Sequence, residues 1–173
     1  GRIWSAFGDS PTELHGSGHR TLSVWPHELN DQSTVYIDVS HGFARKGRQI
    51  FTNEQMVKLM GNLNSKVKFF MPGSNGLQQA LVANGGQKVV GSITTAIGGP
   101  WDVCGVKLVL NAGGAARAFS VTQDYPDMFV PTVLGECDPL DVMDYDILVC
   151  GNSIETVNFL SDQLPGGRYM VTK

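Results

Sequence analysis

The residues best suited to chemistry gather in short glycine-rich loops. Gly8-Asp9-Ser10 follows an apolar run at 3–7 (IWSAF). A serine just past a strand end projects its hydroxyl from the rim of a sheet, and it becomes a nucleophile when a base lies within hydrogen-bond reach. Without a base, Asp9 and Ser10 are ordinary turn and capping residues. Similar loops occur at Ser40-His41-Gly42, Gly73-Ser74-Asn75-Gly76, Gly98-Gly99-Pro100, Asn111-Ala112-Gly113-Gly114 and Gly151-Asn152-Ser153. All four histidines, His15, His19, His27 and His41, fall in the first quarter of the chain. Carboxylates cluster at 136–142 (ECDPLDV), a donor set that suits magnesium and equally suits a solvated turn opened by Asp138-Pro139. Arg45, Lys46 and Arg48 form a small basic group that meets either an anionic substrate or water.

Alternating strands and helices must position these loops. Residues 34–39 (TVYIDV), 66–71 (KVKFFM), 88–93, 106–110 (VKLVL) and 145–150 (YDILVC) read as strands, with a last one at 168–172. A helix is expected from Thr52, which caps it with Gln55 three residues on. Met56, Leu59, Met60 and Leu63 give that helix one apolar face. Further helices are expected at 77–83 and at 153–164, the latter with Ile154, Val157, Leu160 and Leu164 inward. This order predicts an α/β fold, a three-layer α/β/α sandwich around a central, mostly parallel sheet of flavodoxin-like or Rossmann-like type. In such sheets the function sits beyond the carboxyl ends of the strands.

Composition narrows the classes. The 173 residues fit a single domain over 1–173, whether a whole protein or a piece of a larger one. Hydrophobic residues are 42% and charged residues 17%, enough apolar material for a core. The net charge of -3, without long runs of either sign, gives no footprint for nucleic acid or an anionic membrane. No apolar run approaches the roughly 18 residues of a membrane span, and no signal-peptide pattern opens the chain. Three cysteines at irregular spacing suggest neither a zinc site nor a disulfide framework. Trp4, Trp25 and Trp101 read as core or rim packing.

Residues 7–13 (FGDSPTE) resemble the first signature block of the GDSL or SGNH hydrolases, with Pro11 in place of the usual Leu. Trp25-Pro26 with Leu29-Asn30-Asp31 looks like the helix that follows the serine in that family. The resemblance, over roughly residues 3–80, implies an ester or thioester hydrolase acting on a small acyl-ester substrate, with no cofactor or metal. It makes Ser10 the nucleophile and its backbone N–H one oxyanion donor. Gly42 would supply a second N–H, and Asn75 of the 70–76 block (FMPGSNG) a side-chain amide. Loss of one such donor typically costs about 100–1000-fold in rate. The family's C-terminal D-x-x-H block is missing, so His41, beside Gly42, is the substitute base.

Two other resemblances compete. Residues 145–173 are similar to the later half of a class I S-adenosylmethionine-dependent methyltransferase, with 106–119 as the strand and glycine-rich loop that receive the nucleoside. This gives the alternative of a Rossmann-like nucleotide-binding domain using the 111–114 and 151–153 loops. Residues 136–142 resemble the metal-binding signature of soluble inorganic pyrophosphatases, although that family is a β-barrel. A third expectation is a non-catalytic interaction domain of the same fold, working in an oligomer or larger assembly.

Overall fold

The computed structural model describes residues 3–16, 18–38, 51, 53–94, 97, 99–121, 129–133 and 146–164. The fold is α/β. A small antiparallel sheet holds β1 (Ile3–Ser5), β2 (Glu13–His15) and β3 (His19–Thr21) in that order. The main sheet has six strands: β4 (Thr34–Asp38), β5 (Lys68–Phe70), β6 (Val89–Thr94), β7 (Ala115–Val121), β8 (Phe129–Val133) and β9 (Ile147–Gly151). Their order is β5-β4-β6-β9-β7-β8. The helices are α1 (Asn53–Asn64), α2 (Asn75–Asn84), α3 (Val106–Asn111) and α4 (Ile154–Asp162), with a short 3-10 turn at Pro100–Asp102.

The mostly parallel sheet expected from the alternation is corrected by the pairing. Only β5, β4 and β6 run parallel; β9, β7 and β8 join antiparallel. Both faces are apolar, because side chains alternate along each strand. Ile147 and Val149 of β9 meet Leu59 and Leu63 of α1 and Val157 and Leu160 of α4. Leu148 and Cys150 of the same strand meet Val82 of α2 and Val106 and Val109 of α3.

Residues 106–110, expected as a strand, form helix α3. Val106 and Val109 are its buried residues, three apart as on one helix face, and a short apolar run does not separate the two periods. The expected helix at Trp25–Asp31 is absent: 22–33 is irregular chain. Nor do β2, β3, β7 and β8 have counterparts among the expected strands. Thr52, the basic group at 45–48, the acidic cluster at 136–142 and the strand at 168–172 lie outside the described residues.

The loop after β9 fastens the N-terminal part of the chain to the sheet. Asn152 is buried, and its Nδ2 donates to the carbonyls of Trp25 (2.7 Å) and His27 (2.9 Å). Its Oδ1 accepts from the Thr156 hydroxyl at 2.7 Å. Next to it, Ser153 caps α4 through the Thr156 N–H. Gly85 closes α2 at φ +59, and a Cβ there would strike the Ser23 carbonyl at 2.5 Å, so only glycine fits. We expect Asn152→Ala to lower the unfolding free energy in urea by about 1–3 kcal/mol, the cost of buried groups left unpaired.

Cys150 pairs across the sheet with Ser92. Burial pushes its thiol from 9.0 up to about 12, partly offset by a hydrogen bond from Ser92. The unfolded thiol ionises near 9.0 while the folded one keeps its proton, so this contribution to stability is intact below pH 9.0 and lost as pH rises toward 12. Cys104 is exposed. Iodoacetamide should therefore alkylate Cys104 in the native protein and spare Cys150 until denaturant is added, as read by peptide mass.

Candidate functional site

Three parallel strands bring their carboxyl ends to one edge of the main sheet. Asp38 ends β4, directly opposite Thr94, which ends β6. β5 leads through 71–74 into α2, whose first residue is Asn75. The chain beyond β6 turns back at Pro100–Asp102. The edge thus collects Asp38, Asn75, Thr94 and Asp102, in the place where ligands bind on sheets of this kind.

Asp102 is held from several sides. Its Oδ1 accepts from Asn75 Nδ2 at 2.8 Å, and its Oδ2 from the Gly99 N–H at 3.1 Å. Its backbone carbonyl accepts from Gln79 Nε2 at 2.6 Å, while Gln79 Oε1 takes the Gly105 N–H at 2.9 Å. Gly105 is needed for this approach, because a Cβ there would clash with Gln79. Beside Asp102, Trp101 is 69% exposed, a rim aromatic and not a core one.

The surroundings of this carboxylate are polar and buried, an unusual choice for helix α2. Asn75, Gln78 and Gln79 all face inward from its first two turns. Asn75 Oδ1, both amide atoms of Gln78 and Thr94 Oγ1 are buried without a hydrogen-bond partner. Buried polar atoms are nearly always satisfied, so such a group of exceptions marks a place for water, ion or ligand. Ser74, the residue before α2, makes no side-chain cap, which leaves first-turn N–H groups available to an anion.

Of the residues expected to act together, Ser10 and Asn75 are described, and they sit near opposite ends of α3. Ser10 lies in the turn between β1 and β2, its N–H bonded to the Phe7 carbonyl at 3.0 Å. Asn111, at the last turn of α3, donates to the carbonyls of Gly8 (3.0 Å) and Ser10 (2.6 Å). Asn75 is near the other end of that helix: a Cβ on the adjacent Gly76 would touch Cys104 just ahead of α3. His41 and Gly42 lie outside the described residues. The 151–153 loop, expected to face a nucleoside, serves as the Asn152 clasp on the opposite edge, because β9 runs antiparallel to β6.

No family model matches the sequence, and no curated protein matches it. Solved structures do match. SuhB of Mycobacterium tuberculosis is similar over 94% of this chain and 54% of its own, at a TM-score of 0.62 and 14% identity. The chain has the fold seen in these proteins. An inositol monophosphatase from Anabaena (Nostoc) sp. PCC 7120 is similar over 89% of this chain and 57% of its own, at a TM-score of 0.58 and 21% identity. The extragenic suppressor protein SuhB of Bartonella henselae follows at 0.57 and 17%, over 86% and 51%. The chain spans about half the length of each.

These likenesses correct the family resemblances drawn from sequence. The fold is not that of a GDSL/SGNH hydrolase, and the FGDS block is a hairpin turn tied to α3. Hydrolysis of an acyl ester or thioester by a Ser10 nucleophile is therefore overturned as the function. The methyltransferase reading falls too, since its supposed nucleoside-binding strand is helix α3.

Asp38 and Asp102 carry the rim but were passed over in the sequence. The signal for Asp38 is a lone acid inside a β-branched run, which is costly to bury unless a partner or ligand meets it. Among the described residues, Asp102→Ala should cost little stability for an exposed-edge residue only if its bonds are ornamental. The network described predicts instead a loss of about 1–3 kcal/mol, checked by urea denaturation.

Proposed function

We propose that the edge formed by Asp38, Asn75, Thr94 and Asp102 binds the phosphate ester of a small polyhydroxylated compound, within a protein that hydrolyses it. The observation that carries this reading is the set of buried, unpartnered polar atoms on the first turns of α2 and at the end of β6, with Asn75 among them bonded to Asp102. The substrate class is suggested by the similar structures, among them one named inositol monophosphatase. In this reading the first-turn N–H groups of α2 take an anionic oxygen. The Asp102 carboxylate, oriented by Asn75 and Gly99, accepts a substrate hydroxyl, and Thr94 Oγ1 and Asn75 Oδ1 complete the polar wall. Water attacks phosphorus, the P–O bond to the alcohol breaks, and alcohol and phosphate leave.

The oxygen donors at this edge suit a hard cation in kind. Among the described residues, however, Asp38 and Asp102 are not joined by a third converging His, Cys, Asp or Glu. In this reading the chain is one domain, with helices layered on both faces of the sheet. No helix among the described residues is long and apolar enough to cross a membrane.

Thermal unfolding with myo-inositol 1-phosphate tests the reading. Ligand at 100 times Kd should stabilise by about 2.7 kcal/mol, and Asp102→Ala should abolish the shift. Thr94→Val separates function from structure. Replacing an unpartnered buried hydroxyl by a methyl should leave the unliganded protein as stable or more so, while weakening the ligand shift. A Thr94→Val protein that loses stability yet binds normally would refute the assignment of that hydroxyl to a ligand.

A further inference from the structure

The small sheet carries a second constellation, independent of the edge just described. Glu13 and His15 are two apart on β2 and so project from the same face. His19 on β3 pairs directly with His15, which puts its side chain on that face as well. The three ligand atoms lie within 4.8 Å of one another. Glu13 Oε2 is 3.5 Å from His15 Nε2 and 3.1 Å from His19 Nε2. The two imidazoles stack at 4.9 Å between centroids, with their planes 29° apart.

We propose that Glu13, His15 and His19 form a surface site for a divalent transition-metal ion of the zinc class. Two ligands held about 2.0–2.1 Å from a tetrahedral centre stand about 3.3 Å apart, and the two Glu13–imidazole spacings bracket that value. Two imidazoles and one carboxylate are a donor set for zinc and its neighbours rather than for magnesium or calcium. The side chains are 39–58% exposed, so an ion arrives from solvent without any rearrangement of the core. Three protein ligands leave a coordination position for water or an exogenous ligand. Ser5 on β1 faces the same group, its Oγ 2.8 Å from His15 Nε2. On metal binding that hydroxyl gives up the imidazole nitrogen and is free to hydrogen-bond the remaining position.

The sequence offers the spacing E-x-H-x-x-x-H, but only the hairpin register brings the residues together. β2 and β3 pair with Glu13 opposite Thr21 and His15 opposite His19. A slip of one residue would send His19 to the other face.

Isothermal titration of the purified chain with zinc chloride tests the site, in a Cys104→Ser, Cys137→Ser background that removes the exposed thiol of Cys104 and the thiol of Cys137. One ion per chain is expected. His15→Ala and His19→Ala should each weaken binding by more than the roughly 10–100-fold typical of losing an outer partner of a metal ligand. His27→Ala should leave the affinity unchanged. In the unaltered chain, zinc should shift the imidazole NMR resonances of His15 and His19 and spare those of His27, a readout that needs no variant to fold. Failure to bind zinc, or binding that survives His15→Ala and His19→Ala, would overturn the proposal. Neither result bears on phosphate-ester binding, which is measured at another place with another ligand.

Discussion

Strand β6 is closed on every side. All six of its residues are buried, β4 runs parallel along one edge and β9 antiparallel along the other. No side chain of β6 can be large and polar without a partner, and Gly91 shows how little room remains: a Cβ there would meet Leu160 Cδ1 at 2.5 Å. Both apolar clusters border this strand, Val90 and Ile93 contributing to one and Val89 to the other. The change of strand direction across β6 also decides what its two ends do. The parallel side sends its loops to the edge that gathers Asp38, Thr94 and Asp102, whereas the antiparallel side turns its loop the opposite way, to the Asn152 clasp.

That division separates polar groups by purpose. At the clasp, Asn152 and Thr156 are buried and bonded. At the other edge, Gln78 is equally buried but its amide is unpartnered. Each such group draws on the few kcal/mol of net stability that a domain has, so a folded chain carries few of them. At this edge the unpartnered Asn75 Oδ1, Gln78 amide and Thr94 Oγ1 accompany a carboxylate that is itself fixed by Asn75 and Gly99, the pairing of fixed and unsatisfied groups that a binding surface uses.

Much of this was legible in the sequence where period and burial agree. Leu59 and Leu63 marked the inward face of α1, and the β-branched run at 34–39 marked β4, because each pattern matches one element only. The run at 106–110 fits both periods, and tertiary packing decides between them: Val106 and Val109, three apart, are buried together against the sheet. β3 (His19–Thr21) has three exposed residues and no alternation to detect. The site was harder. Asn75 was singled out as an oxyanion donor to Ser10, yet it bonds Asp102; Asp102 itself looked like an ordinary residue after Pro100-Trp101. The FGDS block misled because a glycine-acid-serine turn serves a hairpin as well as a nucleophile, and four residues do not tell the two apart.

The clasp also bears on how the chain matures as it is made. Asn152 grips carbonyls 125 and 127 positions earlier in the chain. Synthesis runs at about 5–20 residues per second, so the segment at Trp25–His27 emerges roughly ten seconds before the side chain that secures it. During that interval β4, α1 and β5 can assemble from neighbouring sequence, while the stretch at Trp25–His27 waits without its clasp. A stretch made ahead of the main sheet is therefore fixed in place only after β9 has followed it.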